Sequence, residues 1–164
     1  MRYARAMRRN PKIVGYLVPN SSFAKTRRVF DECFDVVDER FPDFGSLELH
    51  EDDAAGSDNG AGSERQFGYC RRGTPIVIAF APKIESLPLA NIRGLMRHEF
   101  GHAIDFRYAT KVSRMLGVRL PAGVERRADA IAEAVFGDPI EYDARLIQCV
   151  ACGGQSPRPR KLGR

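Results

Sequence analysis

The chain has 164 residues, which is enough for one modest domain with its own hydrophobic core. Its composition, 43% hydrophobic and 29% charged, is typical of a globular protein, and no apolar run approaches the roughly 18 residues of a transmembrane helix. The formal net charge of +5 permits contact with nucleic acid or anionic surfaces. Because arginine is concentrated at both ends of the chain, this charge indicates solvated basic arms more than a shaped binding groove.

Residues 1–20 are predicted to be a basic N-terminal arm that ends in a short strand or turn. Its apolar run, from Ile13 to Val18, is shorter than the roughly 7–15 residues of a signal-peptide core and has no small-residue cleavage site. The four cysteines are then interpreted as thiols or metal ligands rather than disulfides. Together these features predict a cytoplasmic protein.

The next stretch, residues 21–41, has the apolar period of a helix, with Ser21 or Ser22 as the N-cap and Pro42 where the helix should stop. Its apolar residues form one stripe that could bury against a sheet. They are Phe23, Val29, Phe30, Phe34, Val37 and Phe41.

Strands are predicted in the middle of the chain. SLELHED at residues 46–52 alternates like a strand, and the acidic, Gly/Ser-rich residues 52–66 predict a flexible loop. QFGYCRRG and TPIVIAFAP then predict two strands joined by a tight turn. The continuous apolar run from Ile76 to Phe80 indicates a strand that is buried on both faces.

Two more helices are predicted, at about residues 89–108 and 123–136, the second closed by Gly137 and Pro139. A final helical turn is expected within residues 140–148, so that a domain would span residues 21–148. The remainder, residues 149–164, is expected to be a disordered basic tail that carries a CxxC pair.

The sequence RHEFGHAID at residues 97–105 carries two histidines, His98 and His102, four residues apart. On a helix this spacing places both imidazoles on one face, where they could bind one zinc ion at about 2.0–2.1 Å each. Glu99 is offset by about 100° around the helix axis, which suits a general base better than a third ligand. The alternative is a surface helix with a chance His-Glu pair.

A catalytic zinc usually has three protein ligands. Asp105 lies on the same helical stripe as His98, but a rise of ~1.5 Å per residue places it about 10 Å further along the axis. It therefore cannot share an ion with His98. The HExxHxxGxxH pattern is also excluded, because it needs glycine and histidine where Asp105 and Tyr108 stand.

Glu125 is the preferred third ligand, because Asp129 follows it by four residues on the same helical face. Asp129 could then accept a hydrogen bond from the second ring nitrogen of a ligand histidine. The two acids could instead simply favour the N-terminus of a helix. Other candidate ligands are His50 on the predicted strand, and Glu133 and Glu141 as fallbacks.

The pair of motifs, His98-Glu99-x-x-His102 and Glu125-x-x-x-Asp129, resembles the gluzincin branch of zinc metallopeptidases. The string ERRADAIA at residues 125–132 is similar to the E-x-x-A-D/N-x-apolar-A signature of compact ImmA/IrrE-type peptidases. The resemblance covers roughly residues 70–137. It implies an α+β, minimal zincin-like domain in which a small, mostly antiparallel sheet packs on an N-terminal helix and on the HExxH active-site helix, and a glutamate-bearing helix follows.

The resemblance implies a zinc-dependent metallopeptidase that hydrolyses a protein or peptide substrate through metal-activated water. In that interpretation Zn²⁺ binds His98, His102 and Glu125, and Glu99 is the general base. An edge strand within residues 69–80 would hold the substrate backbone by β-addition. No motif identifies a group that stabilises the tetrahedral oxyanion, for which the candidates are Tyr108, Tyr142, His50 and Arg145.

Cys149 and Cys152, in the sequence CVAC, resemble one knuckle of a zinc ribbon, but a closed structural zinc needs four ligands and no second CxxC is present. They are a remnant half-site for a second metal, a site shared between two chains, or ordinary thiols. Cys33, on the first predicted helix, is expected to be a small core residue.

Two other functions remain open. One is a nucleic-acid-associated zinc-binding protein, with weak non-specific contacts through the basic arms. SprT-like proteases act on DNA-bound proteins, but their motif needs a third histidine, which does not follow His102 here. The other is an inactive zincin scaffold, against which the intact Glu99 argues. The sequence predicts no membrane association and indicates no oligomeric state.

Overall fold

The computed structural model describes residues 14–16, 23–52 and 67–140, which form the predicted α+β arrangement of a sheet and helices. The strands are β1 (Val14–Tyr16), β2 (Leu47–Glu51), β3 (Gly68–Arg71) and β4 (Ile76–Phe80). The helices are α1 (Ala24–Arg40), α2 (Leu89–Tyr108), α3 (Val112–Leu116) and α4 (Val124–Phe136), and 3₁₀ turns occupy Pro82–Ser86 and Ala109–Lys111. The strands and the three long helices therefore form where periodicity predicts them.

The sheet is mixed, with the strand order β1-β2-β4-β3. β1 pairs with β2 and β2 pairs with β4 in parallel, and only β3 and β4 form an antiparallel pair. The prediction of a mostly antiparallel sheet is therefore wrong. The pair β1–β2 is parallel because α1 connects these strands, and a helical crossover returns the chain in the same direction. The pair β2–β4 is parallel because β3, which comes between them in the chain, runs antiparallel to β4 at the edge of the sheet.

One apolar cluster joins the sheet to the helices. On β2 the inward residues Leu47 and Leu49 are fully buried, whereas the intervening Glu48 is only half-buried. All five residues of β4 are buried, which confirms the prediction of a strand covered on both faces. The six predicted stripe residues of α1 and its flanks are also buried: Phe23, Val29, Phe30, Phe34, Val37 and Phe41.

The N-terminus of α1 differs from the prediction. The helix begins at Ala24, and Phe23 instead of a serine takes the N-cap position. The free backbone N–H groups are bound by Glu85 of the first 3₁₀ turn, which accepts hydrogen bonds from Thr26 N at 2.7 Å and from Lys25 N at 3.2 Å. A carboxylate from a distant segment therefore caps the N-terminus of α1, where a local serine was predicted.

A turn and a short helix that periodicity did not reveal separate α2 from α4. α2 ends at Tyr108, and the C-cap Ala109, with a φ of 46°, turns the chain out of the helix. α3 ends at Leu116, and its C-cap Gly117 has the left-handed conformation. The chain then returns so that α4 packs along α2. This reversal brings the two motif-bearing helices together.

Some predictions fall outside the described residues. They concern most of the basic arm, Ser21 and Ser22, residues 53–66 of the loop, and residues 141–164, which include the expected last helical turn, the tail, Cys149 and Cys152. Among the helices that are described, none is both long enough and apolar enough to cross a membrane.

Candidate metal centre

His98 and His102 lie on the face of α2 that is buried against α4, and both side chains are 0% exposed. Their spacing of four residues places the rings one above the other, with Nε2 of His98 3.1 Å from Nε2 of His102. The rings meet edge to face at an interplanar angle of 89°. Two imidazole nitrogens therefore converge on one point between the helices.

Glu125, in the first turn of α4, reaches the same point. Its Oε2 lies 3.1 Å from His98 Nε2, and its Oε1 lies 3.5 Å from His102 Nε2. The ligand atoms of the three residues all lie within 4.8 Å of one another. Two imidazoles and one carboxylate form a donor set that zinc commonly takes, and their mutual distances leave room for one ion between them.

Close packing of the two helices makes this convergence possible. Gly101 of α2 faces the backbone of Ala128 in α4, and a Cβ atom placed at Gly101 would lie 2.8 Å from the Ala128 carbonyl carbon and 3.0 Å from its Cα. Only glycine permits this approach. Ala128 lies between Glu125 and Asp129 along α4, so this contact sets the depth at which both acids enter the site.

An ion pair fixes the two helices from the side. Arg127 donates from Nη2 to Asp105 Oδ1 at 2.7 Å and from Nε to Asp105 Oδ2 at 3.2 Å. This two-point contact restricts both the sliding and the rotation of α4 on α2. Asp105, which sequence geometry excluded as a metal ligand, instead helps to position the helix that carries Glu125.

Asp129 contacts the far side of the His98 ring. Its Oδ1 lies 2.8 Å from His98 Nδ1, in the arrangement that leaves Nε2 directed at the cluster. Burial disfavours a charge on His98, but hydrogen bonds to Asp129 and Glu125 outweigh this and raise the pKa of His98 to about 10. The acids thus make the site strongly attractive to a positive charge.

Glu99 is the other carboxylate of this helix segment, and it is only 1% exposed. Burial raises the pKa of Glu99 above its ordinary value, although the neighbouring His98 and His102 oppose the change. Its Oε2 is buried and has no hydrogen-bond partner among the described residues. A buried carboxyl oxygen without a partner is unfavourable, which indicates that the oxygen is kept for a group that binds at the site.

The other candidate residues lie elsewhere or are otherwise engaged. His50 on β2 is hydrogen-bonded to Glu48 at 2.8 Å, and Glu133 Oε1 accepts a hydrogen bond from the backbone N–H of Ile140 at 3.4 Å. The ring of Tyr108 packs 5.3 Å from that of Phe41. The remaining candidates, Glu141, Tyr142 and Arg145, lie outside the described residues.

Sequence reasoning missed two contacts of the site. The ring of Phe106 lies 6.0 Å from that of His102, at an interplanar angle of 25°. The signal was present, because Phe106 follows His102 by four residues. Arg72, in the loop after β3, contacts the Phe106 ring, with its Cζ 5.4 Å from the ring centroid. No local pattern connects Arg72 with α2.

Cys33 and Cys70 are buried and do not belong to the cluster around His98. Burial raises the pKa of the Cys33 thiol to about 12, as expected for a core residue. Comparison of the chain with family models, with curated proteins and with solved structures found no match. The chemistry of the candidate metal centre is therefore inferred from its own geometry.

Proposed function

We propose that the protein is a zinc-dependent metallopeptidase that hydrolyses peptide bonds. The observation that carries the proposal is the convergence of His98, His102 and Glu125 next to a buried carboxyl oxygen of Glu99 that has no hydrogen-bond partner within residues 23–52 and 67–140. A structural zinc site would close the coordination sphere with a fourth protein ligand. Here the described residues supply three ligands and one carboxyl group suited to proton transfer.

His98, His102 and Glu125 would hold the ion. When bound, zinc would polarise a carbonyl oxygen and lower the pKa of water from ~15.7 toward 7. Asp129 would keep His98 in the tautomer whose Nε2 is a ligand, because it would accept a hydrogen bond from the protonated Nδ1. Burial would strengthen these interactions, because water is excluded from both imidazoles.

Glu99 would be the general base. Its Oε2 would accept a proton from the attacking water and later deliver it to the amine that leaves. Burial raises the pKa of Glu99, and a carboxylate whose pKa is raised accepts a proton more readily than an exposed one. The substrate would be an extended peptide, bound along the edge strand β3 by backbone hydrogen bonds.

The finer classification is part of the same proposal. The HExxH motif on α2 and the ERRAD motif on α4 support a minimal, gluzincin-like domain that resembles ImmA/IrrE-type peptidases. The nucleic-acid-associated alternative draws no support from the described residues, because the basic arms and the CxxC pair lie outside them.

Metal content and activity of three proteins test the proposal. The wild type should bind about one zinc ion at this site and cleave an unfolded protein substrate. Glu99→Gln should keep the zinc and lose hydrolysis by about 100-fold or more, the scale of general-base catalysis. His102→Ala should lose both. Glu133→Gln, on α4 but outside the cluster, is the matched control and should behave as wild type.

The peptidase, the inactive scaffold and the nucleic-acid-associated alternative predict different results in this experiment. Undiminished hydrolysis by Glu99→Gln would contradict the catalytic role of that residue. Zinc binding by a wild type that cleaves nothing would favour the inactive scaffold. DNA binding that disappears at moderate salt would indicate only non-specific contacts of the basic arms.

A further inference from the structure

Arg72 places a positive charge beside the candidate metal centre. It is exposed in the loop between β3 and β4, and its guanidinium carbon lies 5.4 Å from the centroid of the Phe106 ring. The Phe106 ring in turn lies 6.0 Å from His102 at an interplanar angle of 25°. A single aromatic ring therefore separates the guanidinium from a proposed zinc ligand, and the cation–π contact keeps it there.

The charge of Arg72 has no acidic partner in the part of the chain that the structure describes. Three other arginines on or near α2 do pair with acids: Arg93 with Glu32, Arg97 with Asp138, and Arg127 with Asp105. Contact with a ring face uses none of the five N–H donors of a guanidinium. The donors of Arg72 are therefore available to a ligand.

The position of β3 at the edge of the sheet would bring a bound peptide close to Arg72. β3 is an edge strand, and among the described strands it pairs only with β4. Arg72 directly follows Arg71, the last residue of β3. A peptide that adds to the free edge of β3 would pass Arg72 at the C-terminal end of the strand. The contact of Arg72 with Phe106 places this end beside α2.

We propose that Arg72 is a specificity-determining residue that binds an acidic side chain of the substrate peptide. This inference rests on the proposed peptidase function for the direction of the substrate, but it makes a separate claim about binding. A carboxylate is the preferred partner of a guanidinium, because the planar donors match its two oxygens. Phe106 would hold the guanidinium in place and so reduce the entropy lost when the substrate binds.

Peptide binding to the zinc-loaded Glu99→Gln protein tests the inference, because this variant should hold a substrate without cleaving it. The probes are short fluorescent peptides with acetylated and amidated ends, in pairs that differ only in glutamate or glutamine at one scanned position. Blocked ends exclude binding through the terminal carboxylate. At one position glutamate should bind about fivefold more tightly, the upper range for a solvent-exposed ion pair.

Additional substitutions in the same background separate Arg72 from the general positive charge of the chain. Arg72→Gln should abolish the glutamate preference, and Arg72→Lys should restore part of it, since lysine keeps the charge without the planar donors. Arg28→Gln is the control, because it removes an equally exposed charge on α1 that pairs with Glu32. It should leave the preference unchanged.

Three results would overturn the inference: equal binding of both peptides at every position, a preference that survives Arg72→Gln, or no peptide binding at all. Failure of this inference can be distinguished from failure of the proposed peptidase function. Wild-type protein that cleaves glutamate and glutamine peptides equally would exclude the role of Arg72 and keep the peptidase. A glutamate preference without any hydrolysis would keep the role of Arg72 in binding and contradict the peptidase.

Discussion

Replacement of Gly101 by alanine should damage both the stability of the fold and the metal centre. The new Cβ would lie 2.8 Å from the carbonyl carbon of Ala128, whereas carbon atoms in contact normally lie about 3.5–4.0 Å apart. The opposing atoms belong to the backbone of α4, so no change of side-chain rotamer can relieve the overlap. The two helices must therefore separate by about 1 Å.

Two energies compete in this variant. Alanine favours a helix over glycine by about 0.8–1.0 kcal/mol, whereas overpacking a well-packed interior costs about 1–3 kcal/mol. Because the overlap is with backbone, we expect the cost to exceed the gain and the free energy of unfolding to fall by about 1 kcal/mol. For a chain of this size that lowers Tm by roughly 2–4 °C. Displacement of Glu125 and Asp129 should also weaken zinc binding about tenfold or more.

Urea unfolding in the presence of a chelator measures the stability, and competition with a chromophoric chelator measures the zinc affinity. Ala90→Gly, at an exposed position of α2, is the control for the alanine–glycine difference without packing. It should be slightly destabilised and keep full zinc affinity. If Gly101→Ala were as stable as wild type and bound zinc equally well, the close approach of α2 and α4 would not be what positions the site.

Three further perturbations follow from the structure. Asp105→Asn, which removes the charge that binds Arg127 at 2.7 Å, should lower the free energy of unfolding by about 1 kcal/mol, and the loss should shrink at high salt; an unchanged urea midpoint would contradict this. Glu85→Ala should cost about 1–2 kcal/mol in the same assay, because the N–H groups at the start of α1 lose their acceptor, and Asp43→Ala, which removes an exposed carboxylate after α1, is the control. In a protein with Cys149 and Cys152 replaced by serine, Cys33 should not react with a thiol reagent at pH 8 until the chain unfolds, since burial raises its pKa to about 12 and keeps it protonated; reaction in the folded state would show that the thiol is accessible.

Much of the fold was predictable because its elements depend on local periodicity. The boundaries of α2 match the prediction, and those of α4 differ from it by one residue. The inward alternation of Leu47 and Leu49 on β2 was likewise readable. The direction of strand pairing was predicted wrongly, because a strand can pair with a neighbour in either orientation and the choice depends on how the whole chain connects the strands.

The residues of the candidate site also differ in how far the sequence predicted them. The convergence of His98 and His102 follows from the pitch of one helix, and so could be derived from the spacing of four residues alone. The pitch of α2 says nothing about Glu125 and Asp129, because these residues reach the histidines across a contact between two helices. Their role was predicted from their own spacing of four residues and from the resemblance to a family motif. The contacts of Arg72 with Phe106 and of Glu85 with α1 could not be predicted from any local sequence pattern.

The sequence by itself determined which residues share a face of a helix or a strand, because the backbone repeats impose that relation over a few residues. The tertiary structure alone decided how deeply α4 enters the groove beside α2, through the missing side chain of Gly101 and the ion pair of Asp105 with Arg127. The physical reason is range: helix pitch acts within one turn, whereas steric fit and charge pairing act between segments whose meeting depends on the whole chain.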